Sequence, residues 1–151
     1  MLQRIRPFAG FLVVLILLPT IFVFSSLYLI RVSAELQLLE ISQITTNVLA
    51  DTIKPMVVKR DIESLNQAVS KNIHSQGLAL IRVWSGDRVV AEEGDADALK
   101  KPFLVGAHSE GIFTFVTVNV ASDITHNGKM IGRLETSSIV VPILDILFSP
   151  E

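Results

Sequence analysis

The side chains that could do chemistry are few and widely spaced. His74, His108 and His126 lie 34 and 18 residues apart, and no pair has the i, i+4 or H-E-x-x-H spacing of a metal site. The chain has no cysteine, which excludes disulfide frameworks and thiolate metal sites. Ser75, Ser85 and Ser109 sit in no G-x-S-x-G turn, so a serine nucleophile has no anchor. Glu92, Glu93, Asp95 and Asp97 form an acidic cluster without the register or distal Glu of a calcium loop, and read as a solvated loop. Gly106, Gly111, Gly128 and Gly132 do not compose a phosphate loop. The sequence therefore predicts no catalytic residues, no metal and no cofactor. His74 is expected in the last turn of a helix, where an imidazolium favours the negative end of the dipole.

What remains is a set of polar and aromatic residues with strand alternation. Leu78 to Trp84 places Leu80, Arg82 and Trp84 on one side and Ala79, Ile81 and Val83 on the other. Ile112 to Ala121, rich in Val, Phe and Thr, places Phe113, Phe115, Thr117 and Asn119 opposite Ile112, Thr114, Val116, Val118 and Val120. Arg82, Trp84, Phe115, Thr117 and Asn119 are the candidate ligand residues. Arg82 would clamp a small anion through its carboxylate or phosphate, and Trp84 would cover the apolar part. The competing structural assignment packs Trp84 against a helix and sends Arg82 to solvent.

The elements that must hold these residues follow from periodicity. Asp61 to Gly77 is the clearest helix: Asp61 caps it, Ile62, Leu65, Ala68, Val69 and Ile73 form one stripe, and Gly77 ends it. The strand Leu78 to Trp84 then turns through Ser85-Gly86-Asp87-Arg88 into Val89 to Glu92. Asp95 to Leu99 can form a short helical turn. Ile124 to Thr136 reads as a hairpin about Asn127-Gly128, the pair a type I′ turn favours. About five antiparallel strands thus follow two helices, an α+β arrangement with one sheet face covered and the other roofed by loops.

Upstream, Phe8 to Ile30 is a run of 23 residues without a charge, 18 of them apolar. As a helix it spans about 35 Å, enough to cross a hydrocarbon core of about 30 Å, with a bend at Pro19. Arg4 and Arg6 precede it, whereas Arg31 is followed by Glu35 and Glu40, which predicts a cytoplasmic N-terminus and an exported remainder. The run is longer than a signal-peptide core, and Val32-Ser33-Ala34 is a poor cleavage site. Gly10-Phe11 resembles a prepilin processing site, but Leu15 stands where prepilins carry a Glu.

From Arg31 onward there are 11 basic and 15 acidic residues, which argues against a nucleic-acid partner. Ser33 to Lys54 lacks Gly and Pro and should continue as a stalk helix until Pro55. It carries two apolar stripes, one of Leu36, Leu39, Ala50 and Ile53 and one of Leu38, Ile41, Ile44 and Val48. Two stripes exceed what one packed face needs, so the first is the expected interface of a parallel homodimer. The expected organisation is a cytoplasmic N-terminus over 1–7, an anchor over 8–30, a stalk over 31–55 and a domain over 56–138. Residues 139–151 read as a terminal helix or the approach to a second membrane segment.

The order of these parts resembles the extracytoplasmic sensor region of bacterial transmembrane signalling proteins, with a PAS-like or Cache-like domain. The resemblance is carried by Asp61-Ile62-Glu63-Ser64-Leu65 opening the short helix, by Gly77 to Ala91 as strand, polar turn and strand, and by Asn127 to Glu135 as a G-x-x-I-G-x-L return strand. It implies a non-catalytic input module in the cytoplasmic membrane with its domain outside. Such a module senses a small ligand, a periplasmic partner protein or an envelope state, and passes the signal through helices. The output in that family is a diguanylate cyclase or phosphodiesterase of cyclic di-GMP signalling, a histidine kinase of a two-component system, or a chemoreceptor module; none is written in this chain. The alternative from another class is a structural or interaction subunit of a cell-envelope complex, pilin-like or accessory.

Overall fold

The computed structural model describes residues 6–109 and 116–140. The chain divides into two compact units, Met1–Leu36 and Gln37–Glu151, and one helix, α1 (Arg6–Lys59), contributes to both. In the first unit, the apolar side chains from Val13 to Ile30 are largely exposed, from 46% at Leu27 to 73% at Phe22. A side-chain surface this apolar is stable in lipid and not in water. Among the described residues, one helix is long and apolar enough to cross a membrane, and it lies near the N-terminus.

The second unit is an α+β domain. After α1 come α2 (Ile62–Gln76), β1 (Leu78–Ser85), β2 (Arg88–Gly94), α3 (Ala96–Lys100), β3 (Gly106–Ser109), β4 (Val116–His126) and β5 (Lys129–Val140). The five strands make one antiparallel sheet in the order β2-β1-β5-β4-β3. β1 and β5 are central, although 43 residues separate the end of one from the start of the other.

The second half of α1 and the whole of α2 cover one face of the sheet. Leu49, Ala50, Ile53 and Val57 from α1 and Leu65, Val69 and Ile73 from α2 bury against Ile81, Val83, Ala91, Ile124 and Leu134. Each such large side chain contributes about 1.5–3 kcal/mol relative to exposure. A second cluster lies further back along α1, where Leu38 and Leu39 pack on Val116, Val118 and Val120. Val116 pairs with Val140, so β5 ends beside the β4 residues of this second cluster. Between the clusters, the buried Thr46 and Thr136 hydroxyls meet at 2.6 Å and tie α1 to β5.

Local chemistry sets the boundaries. Asp61 Oδ1 accepts from the Ser64 N–H at 3.1 Å and Oδ2 accepts from the Ser64 hydroxyl at 2.7 Å. These two bonds, the hydroxyl first, hold the Asp61 carboxyl below its ordinary value of 3.8. α2 ends at Gly77, with φ at 62°. Asn127 and Gly128 turn β4 into β5 with φ at 52° and 73°, the left-handed pair of a type I′ turn.

Several expectations change. The helix does not stop at Pro55; it runs on to Lys59. Pro55 removes one backbone bond, but Ile53 and Val57 on either side are 0% and 8% exposed, and their burial offsets the loss. Residues 37–59 thus form part of the domain core. Ala50 and Ile53, placed by sequence in a dimer interface, are spent inside the chain's own core, and Leu39 is packed on the second cluster; Leu36 remains 62% exposed. The expected break after Ala121 is absent: β4 continues through Ser122 and Asp123, because Ser122 bonds Asn47 on α1 at 2.8 Å and Asp123 pairs across to Arg133. The fifth strand is instead β3. Phe113 and Phe115, the start of the expected long strand, and the tail from 141 to 151 lie outside the described residues.

Candidate functional site

The sheet's second face, turned away from α1 and α2, carries Leu80, Arg82 and Trp84 from β1, Arg133, Glu135 and Ser137 from β5, and Thr117 and Asn119 from β4. The two-residue period places them there: Ile81 and Val83 are in the helix-covered core, so their neighbours point the other way.

Arg82 is held from both sides. Its register partners are Glu92 on β2 and Glu135 on β5. It donates to the Glu92 carboxylate through Nε, with Nη2 in close contact with the same oxygen. Nη1 lies 3.7 Å from Glu135 Oε2, and Nη2 also reaches the Leu99 carbonyl at the end of α3, at 3.5 Å. Its side chain is only 14% exposed. Arg133 Nε stands 3.6 Å from the other Glu135 oxygen. The 3.6 and 3.7 Å separations are ion pairs too long for hydrogen bonds, which is why Arg133 Nε and Glu135 Oε2 are buried without one. With two carboxylates facing it, Arg82 offers no free charge to a ligand anion.

Trp84 sits between Val89 and Arg133 in the register, and its Nε1 is buried without a hydrogen-bond partner. It is not among the residues that line the cleft described next.

That cleft, of about 300 Å³, opens over the same face, between the sheet and a strap made of α3 and residues 101–105. Leu80, Thr117, Asn119, Ser137 and Ile139 form the floor, and Asp95, Ala96, Asp97, Ala98, Lys101, Pro102 and Phe103 form the strap side. Besides the Arg82 bond to the Leu99 carbonyl, three bonds seat the strap. The Asp95 N–H donates to the Ala79 carbonyl at 2.9 Å. Asn119 Nδ2 donates to the Leu104 carbonyl at 2.9 Å, and His108 Nε2 meets that carbonyl at 2.7 Å.

Of the residues singled out by sequence, Thr117 and Asn119 line the cleft together. Arg82 and Trp84 share their sheet face but stand outside it, and Phe115 is outside the described residues. The sequence reasoning missed Ser137, Phe103 and Leu80. Ser137 had a signal, since it alternates with Glu135 beyond the expected strand end; Phe103 and its strap had none. His74, in the last turn of α2 as expected, is 80% exposed and 3.8 Å from Glu93. Glu93 also accepts from Ser70 at 3.2 Å, so it joins α2 to β2.

Comparison with protein-family models, with curated proteins and with solved structures gives no match to this chain.

Proposed function

We propose that the chain is a membrane-anchored signal-input module of bacterial PAS-like or Cache-like type. Its α+β domain lies outside the cytoplasmic membrane and acts without catalysis. The observation that carries this reading is the double use of α1. The same helix supplies the apolar N-terminal stretch and, through Leu49, Ala50, Ile53 and Val57, a large part of the domain core.

A change in the sheet therefore acts directly on the part of α1 that packs in the domain, Leu49 to Val57. Leu38 and Leu39, packed on Val116, Val118 and Val120 of β4, give α1 a second contact with the sheet. A ligand or partner shifts such a system only by its difference in affinity between two arrangements of these parts. The five-stranded antiparallel sheet with helices on one face and a strap-roofed cleft on the other supports the sensor resemblance. Self-association is part of the proposal, now through the outward side of α1. Ile41, Ile44 and Val48, spaced by three and four residues, are 60%, 57% and 61% exposed. The same exposed stripe favours the second reading, an interaction subunit of an envelope complex.

The anchor is tested by alkaline carbonate extraction and intact mass of the full chain. A membrane-retained protein with residues 1–34 still attached is expected. A mature protein beginning near Ala34, released into the soluble fraction, would overturn the reading.

A further inference from the structure

The cleft beneath the strap holds hydrogen-bonding groups that the fold itself does not use. Ser137 is 3% exposed and Asn119 9% exposed. Among the described residues, neither the Ser137 nor the Thr117 hydroxyl has a hydrogen-bond partner, yet neither is sealed from solvent. Both open into the cleft they line. Asn119 commits Nδ2 to the Leu104 carbonyl, an orientation that carbonyl demands, and leaves Oδ1 as an acceptor.

The register fixes the spacing of the three groups. Asn119 pairs directly with Ser137, and Thr117 lies two residues along β4. They form a triangle with sides of about 5 and 7 Å, the width of one six-membered ring with its substituents. Around this triangle stand apolar walls from Leu80, Phe103 and Ile139.

Charge decides the ligand class. The deep lining is uncharged, and Arg82, on the same sheet face, is matched by Glu92 and Glu135. Asp95, Asp97 and Lys101 are exposed at the strap, where solvent screens them and their signs oppose. An ion placed on a floor of neutral dipoles would lose hydration without a countercharge. A hydroxyl both donates and accepts, as the three floor groups require, and the C–H face of a ring suits Phe103. A volume of about 300 Å³ stands at the small end of ligand sites.

We infer that this cleft binds a small, neutral, polyhydroxylated molecule of monosaccharide size, held by Thr117, Asn119 and Ser137. The inference deepens the input-module reading and rests on it only for biological meaning; that reading falls on topology, this one on binding.

The test is calorimetric titration of the full chain in lipid nanodiscs with D-glucose, D-ribose, myo-inositol, succinate, inorganic phosphate and putrescine. Saturable binding of at least one of the first three is expected, weakened at least tenfold in Thr117→Val and Ser137→Ala and unchanged in His74→Ala, an exposed position on α2. Ala98→Phe, which fills the cleft from the strap and leaves the sheet untouched, should abolish it. Binding only of succinate, phosphate or putrescine would overturn the assignment. So would a neutral compound whose affinity ignores all three cleft variants, or no saturable binding of the neutral compounds.

Discussion

Thr46→Val tests whether α1 is built into the domain. Thr46 is 1% exposed, and its hydroxyl donates to the Ser42 carbonyl at 2.6 Å. Its single proton is thereby committed, so in the 2.6 Å contact with Thr136 the donor is Thr136. Valine keeps the shape of Thr46 and removes the acceptor, leaving the buried Thr136 hydroxyl without a partner. That orphan costs about 1–3 kcal/mol, and in a domain of this size each kcal/mol lowers Tm by about 4–8 °C. Thr136→Val should cost less, about 1 kcal/mol or under, because Thr46 keeps its bond to Ser42 and loses only a donor to a lone pair. In the double variant both polar groups are gone, and stability should return to within about 1 kcal/mol of the parent. The assay is thermal unfolding of the full chain followed by the fluorescence of Trp84, the single tryptophan, which reports from β1. A neutral Thr46→Val, or two effects that simply add, would refute the packing of α1 on β5.

Three further outcomes follow from the same geometry. Arg82→Ala should cost about 1–3 kcal/mol, because it leaves the 7% exposed Glu135 with Arg133 as its remaining cation, and should lower Tm with or without cleft ligands. Asp61→Ala should destabilise α2 at neutral pH: the folded-state value is depressed, so the cap is complete above 3.8 and is lost as pH falls through the lower folded-state value. The gap between parent and variant in Tm should close in a titration from about pH 6 to about pH 2. Single cysteines at Ile41, Ile44 and Val48 should cross-link two copies in the membrane, whereas cysteines at Ala50 and Ile53, which face the core, should not.

How much could be read in advance depended on whether the cause was local. α2 was legible because its stripe, its Asp61 cap and its Gly77 stop lie within one segment. The β1–β2 and β4–β5 turns were legible for the same reason. Pro55 misled because a local breaking signal was outweighed by burial on both sides, supplied by strands that come much later in the chain. β3 was invisible: Gly106-Ala107-His108-Ser109 contains no β-branched or large aromatic residue, and it is a strand through its pairing with β4. The site divided in the same way. Alternation gave Arg82, Thr117 and Asn119 a face each on their own strands, and the register puts those faces on one side of the sheet. Alternation could not give register, and register alone brings Glu92 and Glu135 to Arg82 and Ser137 to Asn119. The candidate anion clamp and its neutralising partners are therefore separable only in three dimensions.

The account stands most directly on which side of the membrane the domain lies. The chain has no cysteine, and the His74 side chain is 80% exposed on α2, so His74→Cys introduces one thiol at a surface position. Intact cells producing this full-length variant are treated with a membrane-impermeant maleimide before and after lysis. The account predicts full labelling before lysis of a protein that sediments with the membrane. A thiol that reacts only after lysis would contradict it.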